Sequence, residues 1–210
     1  MNRSRLSRAG SRQRTVRVEK LLSGGQTGVD RAALDVAMAL NIPCGGWCPR
    51  GRRAEDGRIP DRYPLQETVS SSYSGRTVQN VIDSDGTLIL AFGRLSGGTL
   101  LTKNTAQNRR KPWLFVDLHS SPDVTIVQDW LEANAVRVLN VAGPRASQAP
   151  GIYRLATSLL LRLLPTCMKP CSLTNATPGR SRQGNGEASR RKLRSPRTAT
   201  KPKSARSSPP

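Results

Sequence analysis

Aromatic residues are scarce in this chain: three Trp, three Tyr and two Phe among 210 residues. None is interleaved with the basic residues at the two ends, which weighs against a sequence-specific nucleic-acid surface built on base stacking. No apolar run approaches the ~18 residues a membrane helix needs, and the Leu-rich "ATSLLLRLL" is short and broken by Arg162. The basic start is not followed by the apolar stretch of a secretory leader. The expectation is a soluble, cytoplasmic protein with no membrane partner. There is no Gly-x-Ser-x-Gly elbow, no cluster of metal ligands, and a single histidine, His119. Cysteine occurs as two Cys-x3-Cys pairs, Cys44 with Cys48 and Cys167 with Cys171. The pairs lie far apart and the second sits in a Pro-broken stretch, so reduced thiols are expected rather than a zinc site.

Acidic residues are also few, 14 against 34 Lys and Arg, and the imbalance is local. Six cations fall in residues 1–19 and eleven in 165–210, leaving seventeen against twelve acids between 20 and 164. Residues 1–17 and 165–210 are rich in Arg, Ser, Pro and Lys with almost nothing apolar. Such segments cannot offset the entropy of ordering and are expected to be disordered. Their charge favours non-specific contact with polyanions. Residues 18–164 read as one domain, large enough to bury roughly two thirds of its unfolded surface.

Within that domain apolar runs alternate with helical periodicity. Strands are expected at 18–24, 42–47, 87–93, 112–118 and 136–143, and helices at 28–40, 74–83, 98–109, 122–134 and 151–163. The strands are apolar throughout rather than alternating, as in a parallel sheet covered on both faces. The expected fold is α/β, a Rossmann-like three-layer α/β sandwich with a mainly parallel sheet. Residues 48–66 form a long, charged, Pro- and Gly-punctuated loop, a length that points to function or disorder.

In such sheets ligands bind beyond the carboxyl ends of the strands. The first strand is followed by Ser23-Gly24-Gly25-Gln26-Thr27-Gly28 and then Asp30. The second is followed by Trp47, Arg50, Gly51 and Arg52, the third by Gly97-Gly98-Thr99, and the fifth by Asn140, Gly143 and Arg145. Glycines there let a ligand approach the backbone, helix starts supply unpaired N–H groups, and arginine supplies charge-assisted bonds. The pattern suits a phosphorylated small molecule. On the first turn alone the alternative is a tight strand-to-helix connection with Thr27 as its cap. Trp47 either packs on the sheet or stacks on a ligand ring. Asp83 and Asp85 either cap and turn the chain or serve the site. His119 is either a general base or simply solvated.

Five stretches occur in one order: "SGGQTGVDRAALDVA", "IPCGGWCPRGRRAEDGRIPDRYPL", "DSDGTLIL", "GGTLLT" and "RVLNVAGPRASQAPGIY". By these motifs the chain resembles the molybdenum cofactor carrier family, a Rossmann-like group related to the lysine-decarboxylase-like superfamily, over about residues 18–164. The resemblance implies a homo-oligomer, tetrameric in relatives. It also implies a carrier of molybdenum cofactor, a pterin with a terminal phosphate and a dithiolene-bound metal oxide, with the glycine-lined helix starts and Arg145 on the phosphate. The alternative is a nucleotide-binding or nucleotide-processing protein. Relatives that cleave nucleoside monophosphates carry Pro-Gly-Gly-x-Gly-Thr followed closely by Glu. Here the run is "SGGTLLTKN", which lacks the third Gly and the Glu and so lacks a carboxylate at that place to activate a nucleophile, a part for which Asp30, Glu55 or Asp85 would have to substitute.

Removing residues 1–17 and 165–210 is expected to abolish retention of RNA or DNA and to spare small-ligand binding. Gel-shift and calorimetric titrations of the trimmed chain check this, and retention by the trimmed domain would contradict it.

Overall fold

The computed structural model describes residues 17–165 apart from Ser121. The basic ends at 1–16 and 166–210, and with them Cys167 and Cys171, lie outside the described residues. Fourteen elements follow in order: β1 (Lys20–Leu22), α1 (Val29–Ala39), β2 (Cys44–Gly45), β3 (Trp47–Cys48), β4 (Arg53–Ala54), β5 (Gly57–Arg58), β6 (Gln66–Glu67), α2 (Tyr73–Ile82), β7 (Gly86–Ala91), α3 (Gly97–Asn108), β8 (Trp113–Asp117), α4 (Val124–Ala133), β9 (Val138–Ala142) and α5 (Ile152–Leu163).

The main sheet has the order β2-β1-β9-β7-β8, and every pairing in it is parallel. Helix α1 packs on α5, which in turn meets α4, and α2 packs on α3. The result is the α/β sandwich expected from apolar strands alternating with helical patterns. Leu88, Ile89, Leu90, Leu139 and Val141 are fully buried in the middle of the sheet. β8 departs from the expected wholly buried strand. It lies at the sheet edge, and of its residues only Val116 is buried.

Chain order and spatial order diverge at one place. β9, the last strand, sits between β1 and β7, with Leu139 opposite Leu21 on one side and Gly86 on the other. The direction in which the chain winds reverses at this point, so the carboxyl ends of β1, β9 and β7 flank the crevice where such sheets bind ligands. Polar groups pin the insertion. Asn140 Nδ2 donates to Thr87 Oγ1 at 3.2 Å in the core. Asp85 Oδ2 accepts from the amides of Arg137 and Val138 at 3.0 and 2.7 Å.

The 48–66 segment is ordered by its own chemistry. Arg52 is buried, at φ 51°, and its guanidinium donates to the carbonyls of Ile59, Leu65, Pro60 and Tyr63 at 2.9–3.1 Å. β4 and β5 pair antiparallel, Ala54 opposite Gly57, so Glu55 and Asp56 form a two-residue hairpin tip.

Replacing Arg52 with Ala removes a donor from four carbonyls, of which Pro60 and Tyr63 keep the backbone amides of Tyr63 and Leu65. We expect a loss of about 2–4 kcal/mol, read as a lower urea midpoint. A midpoint within experimental error of the parent protein would mean that water takes over those carbonyls.

Candidate functional site

A cavity of about 280 Å³ opens at the carboxyl rim of the sheet. Five segments meet there: Gln26 and Asp30 after β1, Tyr73 to Thr77 at the start of α2, Gly97 to Thr99 at the start of α3, Ala142 and Gly143 at the end of β9, and Arg145 beyond it. The expected residues Gln26, Asp30, Gly97, Gly98, Thr99, Gly143 and Arg145 are therefore brought together.

Helix α3 begins openly. Ser96 caps it without a side-chain hydrogen bond, and a Cβ added to Gly97 or Gly98 would meet nothing within 4 Å. The Thr99 and Leu100 amides turn back to the Ser96 carbonyl at 3.1 and 3.2 Å, which leaves the amides of Gly97 and Gly98 as the open donors of this first turn. Gln26 adds a directed donor. Its Oε1 accepts from the amides of Thr27 and Glu55, both at 3.0 Å. Two N–H groups can face only an oxygen, so the carboxamide orientation is fixed and its NH2 is left for the cavity.

Two arginines reach the cavity, and each has a carboxylate beside it. Arg76 Nη1 is 2.8 Å from Asp30 Oδ2, an ion pair in which Asp30 is almost wholly buried. Burial pushes the Asp30 carboxyl up from its ordinary value, while the Arg76 charge and the Gln26 amide oppose that shift. The guanidinium hydrogen-bonds the carboxyl directly, Nη1 donating to Oδ2. Arg76 Nε is buried with no hydrogen-bond partner. Arg145 Nε lies 3.7 Å from Glu55 Oε2.

The first turn does not work as the sequence led us to expect. Its glycines admit the protein's own atoms rather than a ligand. A Cβ on Gly24 would fall 1.5 Å from Arg76 Nη1, one on Gly25 2.4 Å from Leu65, and one on Gly28 2.5 Å from the Pro144 carbonyl. Gly28, at φ 79°, is the α1 cap in place of Thr27, and the Val29 amide is directed at the Pro144 carbonyl at 3.4 Å. The start of α1 is thus closed by the β9 loop. Gly143 is filled likewise, by the Leu90 carbonyl and Val29.

The hydroxyls of this turn are also spoken for. Ser23 Oγ donates to the Val141 carbonyl at 2.7 Å. Thr27 Oγ1 donates to Glu55 and accepts from the Ala146 amide at 3.1 Å. The hairpin tip fastens here. Glu55 also accepts from the amide and hydroxyl of Ser147, and Asp56 forms a two-pronged pair with Arg31 at 2.5 and 2.7 Å. The Arg31 hydrogen bonds hold the Asp56 carboxyl below its ordinary value.

Other expected residues stand apart from the cavity. Trp47 Nε1 donates to Asp83 Oδ2 at 2.7 Å, and its backbone is gripped on both sides by the Asn80 carboxamide. Arg52 is consumed by its four carbonyls, and Arg50 and Gly51 lie on the same 48–66 segment, exposed. Asn140 is within the sheet. His119 stacks on Phe92 with ring centroids 4.5 Å apart. Among the described residues no group of three His, Cys, Asp or Glu is placed to hold a metal, and no helix is long and apolar enough to cross a membrane.

Sequence reasoning missed Tyr73, Ser74, Arg76, Thr77, Leu101, Thr102, Ala142 and Gln148. The signal available was α2 itself. Its buried positions include Thr77 and Asn80 beside Val81, an inward face that is polar where a purely structural helix is apolar.

Residues 21–164 match the model of the circularly permutated YpsA SLOG family. The chain is also similar to a solved structure, the 1.45 Å crystal structure of the "Putative molybdenum carrier protein" of Syntrophus aciditrophicus SB. The two are 48% identical over 70% of this chain and 94% of that one, with a TM-score of 0.67. No curated protein matches. The family and structure matches bear out the resemblance read from the motifs.

Gly24→Ala forces the Arg76 guanidinium off its seat beside Asp30. The expected cost is about 1–3 kcal/mol, as for overpacking, seen as a lower urea midpoint at unchanged slope. Parent-like stability would show that Arg76 can move aside freely.

Proposed function

The chain belongs to the circularly permutated YpsA SLOG family, and from that premise we propose a binding or carrier protein for a phosphate-containing pterin, the molybdenum cofactor, held as cargo in the rim cavity. The observation that carries this reading is the convergence on one cavity of the open α3 start, the Gln26 carboxamide and the arginines 76 and 145. Unpaired amides and guanidinium groups together bind phosphate oxygens.

The residues present fit such a cargo by their donor chemistry. The buried, orphaned Arg76 Nε is a donor that an anionic oxygen would satisfy. Tyr73, at the mouth of α2, is the aromatic side chain in the lining and is the candidate to stack on a pterin ring, one of the two parts open to Trp47 from sequence. The described lining residues include no Cys, His or Met. The protein therefore holds the organic portion, and the metal keeps its own dithiolene ligands. At about 280 Å³ the cavity is near the lower end for small-molecule sites, enough for the phosphate end and part of a ring.

Holding is favoured over chemistry. Asp30 is the one carboxylate among the described lining residues, and Arg76 engages it. A hydrolase needs a carboxylate free to take a proton. Mass spectrometry of the anaerobically purified protein tests the identity of the cargo: a pterin phosphate supports the reading, and a nucleotide replaces it with nucleotide binding.

Arg145→Ala is expected to weaken a phosphorylated pterin by ~1.5–3 kcal/mol, the range for a charged hydrogen bond, and to leave the dephosphorylated analogue unchanged. Titration calorimetry with the two ligands checks this; equal losses for both would remove the phosphate role of Arg145.

A further inference from the structure

Cations line the cavity, and each has a carboxylate beside it. Arg76 faces Asp30 at 2.8 Å and Arg145 faces Glu55 at 3.7 Å. Asp30 is part of the lining, but Glu55 is not. Glu55 lies behind Arg145 at the tip of the β4–β5 hairpin. It engages the Nε side of the guanidinium, which leaves both Nη groups for a ligand.

We propose that Glu55 tunes the site, lowering its grip on anions from behind Arg145 so that cargo is recognised by donor placement and can be released. The inference rests on the reading that the cavity takes a phosphate. A carrier must give up what it holds, and a site with two uncompensated guanidinium groups would retain a phosphate dianion far longer. Glu55 is suited to this task because its position is over-determined. Thr27 Oγ1, the Ser147 amide and Ser147 Oγ all donate to it. Burial pushes its carboxyl up, but those bonds and the Arg145 charge outweigh burial and hold it below its ordinary value. It therefore stays ionised at neutral pH.

The same bonds make the charge separable from the geometry. In Glu55→Gln the carbonyl oxygen still accepts from Thr27 and the Ser147 amide. The carboxamide NH2 donates to Ser147 Oγ, which turns from donor to acceptor. Shape and tethering persist while one negative charge is lost. A charge acting at a distance contributes in proportion to the ligand's own charge. The gain for a dianion should therefore be the square of the gain for a monoanion, and a purely structural role for Glu55 predicts no such relation.

The test is calorimetric titration of the full chain and its Glu55→Gln variant at about pH 8 and low salt. The probes are inorganic phosphate, mostly a dianion there, and methyl sulfate, a monoanion of similar shape. Phosphate should bind about fourfold tighter to the variant and methyl sulfate about twofold tighter, and both gains should shrink as salt is added. Phosphate affinity in the variant that is unchanged or weaker, while the parent binds phosphate and Arg145→Ala does not, overturns the tuning role alone. Absence of phosphate binding in both proteins overturns the phosphate site and this inference with it. Should Glu55→Gln fail to fold, Glu55→Ala with the same pair of anions is read by the ratio of the phosphate change to the methyl sulfate change, about twofold for a charge effect and about one for a purely structural role, because the lost hydrogen bonds affect both anions alike.

Discussion

The last strand of the chain lies in the middle of the sheet, and its insertion governs what stands at the rim. β9 pairs with β1 through Lys20 opposite Val138 and with β7 through Gly86 opposite Leu139. These contacts join residues more than a hundred positions apart for β1 and about fifty for β7, so loop-closure entropy opposes them until the hydrophobic core rewards them. The strand carries a polar residue inside, Asn140, whose bond to Thr87 satisfies both groups where an unpaired amide would be costly. Once β9 is in place, Gly143 to Arg145 follow directly and are pressed against the first turn. Gly28 against the Pro144 carbonyl, and Gly143 against Val29, are the points of closest approach.

That closeness explains why the glycine turn has an unexpected role. A Gly-rich turn between a strand and a helix is ordinarily read as a cradle for phosphate. Here the space above it is taken by a neighbouring loop, an arginine and two aliphatic side chains. The next helix start around the rim, at Gly97 and Gly98, is open, since a Cβ there would meet nothing within 4 Å. The first turn becomes the foundation of the rim, and in the proposed reading the α3 start is where the ligand is held.

The 48–66 segment illustrates a related economy of charge. Its arginines and acids do not face solvent at random. Arg52 stitches the segment together from within, and Glu55 and Asp56 tie its tip to Thr27, Ser147, Arg145 and Arg31. Exposed ion pairs contribute little to stability individually. Their value here is positional, because they join three loops that would otherwise move separately around the cavity.

Much of the architecture was legible in the residues themselves. Wholly apolar runs such as "TLILAFG" announce a buried parallel strand, and helical periodicity over 28–40 and 151–163 announces the helices that cover it. These signals are local, and local free energies of burial produce them. That the strand ends of a parallel sheet would share one rim, where the cavity lies, followed too. Partnerships did not follow. The sequence alone could not show that Arg76 crosses Gly24 to reach Asp30, that Arg145 is held by Glu55 ninety residues away, or that Trp47 spends its indole N–H on Asp83. Such choices are made by which loops the β9 insertion brings within a few ångströms of one another. A side chain's chemistry is set by its sequence, but its partner is set by distance, and distance across the rim exists only in the folded chain.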